Sequence, residues 1–189
     1  DYTTIQAAID WAPPDTSTIY ITPGTYTECI TITNRTLSLQ STDPNQELIV
    51  YTADWSACTG GTAILTIDNA DVTLQNITLQ SDALYTRSCI DCTDSTVNLE
   101  HVDLIEGSVG INVEGNSTLS LNFTTIMNGD GHTGMSIDNS MIGTVTIANS
   151  TLLGHPNVGG RGLSSMSTQA EINIQDTTFD GHQPVIGHG

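Results

Sequence analysis

The sequence predicts an all-β chain wound as a right-handed parallel β-helix, a solenoid with a short N-terminal capping helix. Three observations carry that expectation. Five alternating apolar segments recur, beginning at Val72, Val97, Leu119, Val145 and Ile172, with starts 25, 22, 26 and 27 residues apart. A two-residue alternation marks a strand with one buried face, and this period is too short for a helical solenoid but fits three short strands per coil. Each segment is preceded by a second apolar start, at Ile64, Ile90, Ile111, Met135 and Leu163, most of them following small-residue corners such as Gly107-Ser108-Val109-Gly110. Finally, Asn76, His101, Asn149 and Asp176 fall four residues after a segment start, where Asn and Asp tolerate the left-handed backbone of a bend. Phe123 takes the equivalent place and is expected to break that ladder.

The elements follow in chain order as one domain over residues 1–189, long enough to bury a core. Residues 1–12 form the capping helix, with Ile5, Ala8 and Ile9 on one face. A cap is needed because an open β-helix end exposes unpaired strand edges and apolar core. Residues 19–40 form the first coil, 41–61 a long loop, and 62–189 the repeated coils. The chain opens at Asp1 with neither Met nor a leader, so a processed piece of a longer product is expected.

The opening Tyr2-Thr3-Thr4-Ile5-Gln6-Ala7-Ala8-Ile9, followed by Pro23-Gly24-Thr25-Tyr26-Thr27-Glu28, resembles that of pectin methylesterases and other pectin-lyase-like β-helix proteins. The resemblance implies a helix capping the column and a turn leading into the first coil. Gly60-Gly61-Thr62-Ala63-Ile64 also resembles the repeat of chlamydial polymorphic outer-membrane proteins, which implies an adhesive surface role. The Asp-Phe-Ile-Phe-Gly motif of pectin methylesterases does not occur, nor do the paired acids and Lys-containing motif of polygalacturonases, and the arginines stand apart without a pectate-lyase motif. No catalytic set is recognised.

The charge balance is one-sided: 3 Lys+Arg against 21 Asp+Glu gives −18, and the three cations are Arg35, Arg87 and Arg161. Phosphate neutralisation has almost nothing to work with, which excludes nucleic acid and anionic membranes as electrostatic partners. No run approaches the roughly 20 apolar residues of a membrane span, so no direct membrane insertion is expected.

Candidate site residues fall into four groups. His155 and His182 align on neighbouring coils and, with Asp180, His132 and Asp130, form a candidate divalent-cation or ligand site; otherwise no cofactor is expected. Trp55, Tyr51 and Tyr85 are candidates for stacking on sugar rings beside the long loop. Five Asn-x-Ser/Thr acceptors occur, and Asn34, Asn116 and Asn122 are preferred because Asn76 and Asn149 lie in the bend ladder. Cys29, Cys58 and Cys89 are disulfide candidates, with Cys58 placed to meet either of the others, whereas Cys92 aligns with the inward residues Ile32, Ile67, Val113 and Ile137.

The function expected is that of a non-catalytic, secreted β-helix at the cell surface, an adhesive or filament-forming module open to glycosylation. Its expected partners are other subunits, by head-to-tail self-assembly, or an extracellular polysaccharide. The alternative is a carbohydrate-active enzyme or carbohydrate-binding domain.

Overall fold

The computed structural model describes residues 2–45, 48–52, 58, 63–81, 88–127, 133–154 and 160–180. After helix α1 (Ile5–Trp11) the chain runs β1 (Ser17–Ile21), β2 (Gly24–Thr27) and β3 (Ile30–Thr33). The next coils hold β4 (Thr36–Ser41), β5 (Leu48–Thr52) and β6 (Ala63–Asp68), then β7 (Asp71–Ser81) with β8 (Ser88–Thr93), and β9 (Thr96–Ile105) with β10 (Val109–Glu114). They are followed by β11 (Asn116–Asn122), β12 (Thr125–Met127) and β13 (Thr133–Ile137), then β14 (Ile142–Ala148), β15 (Thr151–Leu153) and β16 (Arg161–Ser165). The last pair is β17 (Ala170–Gln175) and β18 (Thr178–Asp180).

All pairings are parallel and join each strand to its equivalent one coil away. One sheet is ordered β1-β4-β7-β9-β11-β14-β17, with β2, β5, β12, β15 and β18 extending it around a bend, and a second is ordered β16-β13-β10-β8-β6-β3. This is the parallel β-helix the periodicity predicts.

Stacking in register turns the repeat into columns. Leu39, Leu74, Leu99, Leu121 and Ile147 lie one above another through successive pairings, as do Val50, Leu79, Leu104, Ile126 and Leu152. Each of these side chains is at most 2% exposed. Inward columns of branched aliphatic side chains remove apolar area from water at about 25 cal/mol per Å², which is the main force holding the coils together.

The cap is joined to the first coil by polar bonds from its first turn. Glu28, from the Pro-Gly-x-Tyr-x-Glu segment, accepts from the Ile5 and Gln6 backbone N–H groups at 2.8 and 2.9 Å. Those donors have no partner inside a helix, so the carboxylate satisfies them and meets the positive end of the dipole. Gln6 in turn accepts from Thr31 N–H at 2.8 Å and donates to Thr31 O at 3.2 Å, standing in for a strand on the edge of β3. The helix itself is Ile5–Trp11, shorter than the 1–12 expected, because Thr4 serves as its N-cap and Ala12 is already extended.

Three further expectations are corrected. The loop over 41–61 contains β5, which pairs with β2 and β7; the first coil begins at Ser17, and Thr36–Ser41 belongs to the next one. Phe123 does not break the bend ladder: its φ of 49° matches the 55°, 52°, 50° and 47° of Asn76, His101, Asn149 and Asp176. Its ring stacks on His101 with centroids 4.9 Å apart and planes 5° from parallel, which offsets the strain of a bulky residue in left-handed backbone. Asn34 is likewise in a bend ladder, at φ 53° with Asn69 at 49° and Asp94 at 48°, and Asn69 Nδ2 donates to Asn34 Oδ1 at 2.6 Å.

A serine staircase inside the bends links successive coils. Ser95 Oγ accepts from Ala70 N–H at 3.1 Å, Ser117 Oγ accepts from Ser95 N–H at 3.2 Å, and Ser150 Oγ accepts from Thr124 N–H at 3.1 Å. Each hydroxyl also donates to a carbonyl of its own bend at 2.6 Å. Ser117→Ala is expected to cost about 1–3 kcal/mol in urea unfolding, because it strands the N–H of Ser95, a residue only 4% exposed. Unchanged stability would show that the bond contributes nothing.

Candidate functional site

The outward positions of the first sheet form the broadest functional candidate. Because alternate residues point out, stacking produces straight rows there as it produces columns inside. One row runs Tyr20, Gln40, Gln75, Glu100, Asn122, Ala148, Gln175; its neighbour runs Thr18, Ser38, Thr73, Asn98, Ser120, Thr146, Asn173. A third carries Thr36, Asp71, Thr96, Thr118, Thr144 and Glu171. Between the first strands lies a trough of about 420 Å³ lined by hydroxyl and amide groups, among them Thr18, Ser38, Thr73 and Asn98, together with the Asp71 carboxylate, Leu37 and Val72.

The carboxylates of this face do not converge. Asp71 pairs in register with Thr96, while Glu100 is opposite Gln75, one strand over and four residues along. That offset separates their Cα atoms by about 14 Å, with a row of hydroxyl and amide side chains between them. Several acids are bound to neighbours instead. Glu100 accepts both bonds from Asn122 Nδ2 at 3.2 Å, and Asp94 Oδ1 accepts from Asn116 N–H at 2.8 Å. The Ser140 backbone and hydroxyl hold the Asp138 carboxyl below its usual range.

Of the candidate cation site, Asp180 is exposed on β18 opposite Leu153, and His155, His182, His132 and Asp130 lie outside the described residues. Among the described residues no three His, Cys, Asp or Glu side chains gather as a metal would require. Of the stacking candidates, Tyr51 is in β5 between Thr27 and Gln80 in register, and Trp55 and Tyr85 lie outside the described residues. Among the described residues the exposed aromatic side chains are elsewhere: Trp11, Tyr20, Tyr2, Phe123 and Phe179.

The three preferred acceptor asparagines differ in freedom. Asn34 is held by Asn69, and Asn122 is held between Glu100 and Asn149, whose Nδ2 donates to Asn122 Oδ1 at 2.9 Å. Asn116 is exposed at the start of β11.

Cys58 bonds to Cys29, with Cα atoms 5.5 Å apart, so Cys89 is not its partner. Cys89 and Cys92 are buried free thiols on β8, and Cys92 sits in register with Ile67 and Val113 as the alignment expects. Burial pushes the Cys89 thiol up to about 12 and that of Cys92 up to about 11, both from 9.0. A buried neutral thiol is a poor nucleophile. Iodoacetamide at pH 8 is therefore expected to leave both unmodified in the native protein and to label both in urea, read by intact mass. The same burial makes stability pH-dependent on the alkaline side. Below pH 9 both states hold the proton; above it the unfolded chain loses it first, so stability falls as pH rises through about 11 and 12. Rapid native labelling would contradict this.

No protein family and no curated protein matches the sequence. Solved structures match the fold. Escherichia coli YbhC superposes with a TM-score of 0.61 at 12% identity over 91% of this chain, which spans 61% of YbhC. Two forms of the pectin methylesterase from Aspergillus niger match all of this chain and 88% of theirs, at 15% and 16% identity with TM-scores of 0.53 and 0.55. At such identities the likeness establishes a shared parallel β-helix fold and nothing about activity. The glycines on which the chlamydial resemblance rests, Gly60 and Gly61, lie outside the described residues.

Proposed function

We propose that the protein is a non-catalytic extracellular β-helix, a structural and adhesive surface module that displays rows of small polar side chains. The observation that carries this reading is the outward face of the first sheet, where Asp71 and Glu100 sit rows apart and hydroxyl and amide groups fill the positions between. Such a face offers many weak hydrogen bonds and no paired acid and base. The Cys29–Cys58 disulfide supports secretion, since such bonds persist in oxidising compartments. A carbohydrate-active role is the competing proposal, favoured by the likeness in fold to the Aspergillus niger pectin methylesterase.

Electron microscopy of source-purified protein, with intact mass measured on the same sample, tests the structural reading. Fibres with a subunit repeat, or protein decorating the source cell surface, are the expected result. Discrete monomers that stay in the culture fluid and bind no surface would overturn it.

A further inference from the structure

The N-terminal end carries a cleft that neither the outer face nor the cap requires. It lies between α1 and β1, measures about 640 Å³, and is lined by Tyr2, Trp11, Thr18, Tyr20, Thr22 and Tyr26 among others. This is within the roughly 300–1,000 Å³ of small-ligand sites. Trp11 is 74% exposed, Tyr20 66% and Tyr2 47%. The Tyr2 and Trp11 rings stand 5.9 Å apart at 42°, so they form two walls of one corner instead of covering each other. Beneath them the Tyr26 hydroxyl donates to Thr22 O at 2.9 Å and meets Thr22 Oγ1 at 3.0 Å, which fixes the floor. Three large rings held in water around one concavity leave apolar area uncovered, the mark of a recognition site.

The chemistry of the lining selects the ligand. Not one lining residue is charged, in a protein whose net charge is −18. The surrounding field repels polyanions, which disfavours nucleotides and uronate chains. What remains complementary is a neutral molecule with flat C–H faces and a hydroxyl rim, able to stack on rings and bond to Thr18 and Thr22. That is a pyranose. Ser17 and Thr18 also line the adjoining polar trough, so a sugar chain held in the cleft meets Ser38, Thr73 and Asn98 as it leaves. We infer that the cleft between α1 and β1 is a binding site for a neutral oligosaccharide, anchored by Trp11 and Tyr20. The site shares Thr18 and Tyr20 with the rows of the outer face, but it does not rest on the adhesive reading of that face.

Calorimetric titration of the full chain with cellopentaose, mannopentaose, xylopentaose and galactopentaose, beside tetragalacturonate as the charged control, tests the inference. At least one neutral sugar is expected to bind, and tetragalacturonate is not. Trp11→Ala and Tyr20→Ala should each weaken binding by about tenfold or more, and Trp11→Phe should restore most of it. Both residues are exposed, so melting temperatures should stay at the wild-type value, which separates lost binding from lost fold. Failure of all four neutral sugars, or binding that both alanine variants leave intact, would overturn the inference. So would a self-associating wild type whose Trp11→Ala variant sediments as a monomer, since the cleft would then receive another copy.

Discussion

Leu99→Ala is expected to lower the stability of the protein by about 2–5 kcal/mol, one of the two largest effects of any single chemical change considered. Leu99 is 1% exposed and lies mid-column on β9, between Leu74 one coil below and Leu121 one coil above. Removing its side chain loses the transfer energy of the buried methyl groups. It also leaves a void, because the β-ladders on either side hold the flanking coils at fixed spacing and prevent collapse. In a solenoid each coil is stabilised through its neighbours, so a defect in the middle weakens both interfaces at once. Asn98→Ala, one residue away but outward, is the control and should change stability by less than about 0.5 kcal/mol. Urea unfolding followed by far-ultraviolet dichroism measures both. Equal effects of the two substitutions would contradict the inward and outward assignment.

Removing the Cys29–Cys58 disulfide is expected to cost about 2–4 kcal/mol. The bond closes a segment of 29 residues that contains β3, β4 and β5, tying the first coil to the corner before β6. Without it the unfolded chain gains the freedom of that loop while the folded chain keeps its ladders, so the equilibrium shifts toward unfolding. For a chain of this length the loss corresponds to a fall of about 4–16 °C in melting temperature. The double variant Cys29→Ser and Cys58→Ser, compared with the wild type by calorimetry, checks it. An unchanged melting temperature would show that the loop is already constrained by its own pairings.

The repeat made the fold legible because its inward positions are almost all aliphatic: the spacing of Val72, Val97, Leu119 and Val145 alone sets the pairing of β7, β9, β11 and β14. Legibility failed where the pattern is short. Leu48-Ile49-Val50 has no repeat partner of matching spacing, so β5 is hidden in what reads as loop. Phe123 shows a different limit. Its side chain looks wrong for a left-handed bend, yet the coils above and below impose the conformation and His101 supplies a stacking partner. The serine staircase has no sequence signature, since serines are frequent, Ser41, Ser81 and Ser88 are buried as well, and only the bonds between coils distinguish Ser95, Ser117 and Ser150.

The candidate site was less legible still. Aromatic residues were sought beside the long loop, at Tyr51, Trp55 and Tyr85, because loops commonly carry function. The exposed rings that line the cleft come instead from Trp11 on α1, Tyr20 on β1 and Tyr2 in the segment ahead of α1, and meet only when α1 folds back over β1. Trp11 reads in sequence as the end of an amphipathic helix, and Tyr20 as one outward residue of a strand. Their proximity is a property of the cap.

The central claim, that this β-helix displays a polar face without catalysing a reaction on a polysaccharide, is tested most directly by methanol release from methyl-esterified polygalacturonan. The source-purified chain would be assayed from pH 5 to 9 with calcium present and absent, together with a viscosity measurement for backbone cleavage. The account predicts methanol and viscosity traces indistinguishable from the buffer blank. Sustained turnover that Asp71→Asn or Glu100→Gln abolishes while the fold stays intact would contradict it.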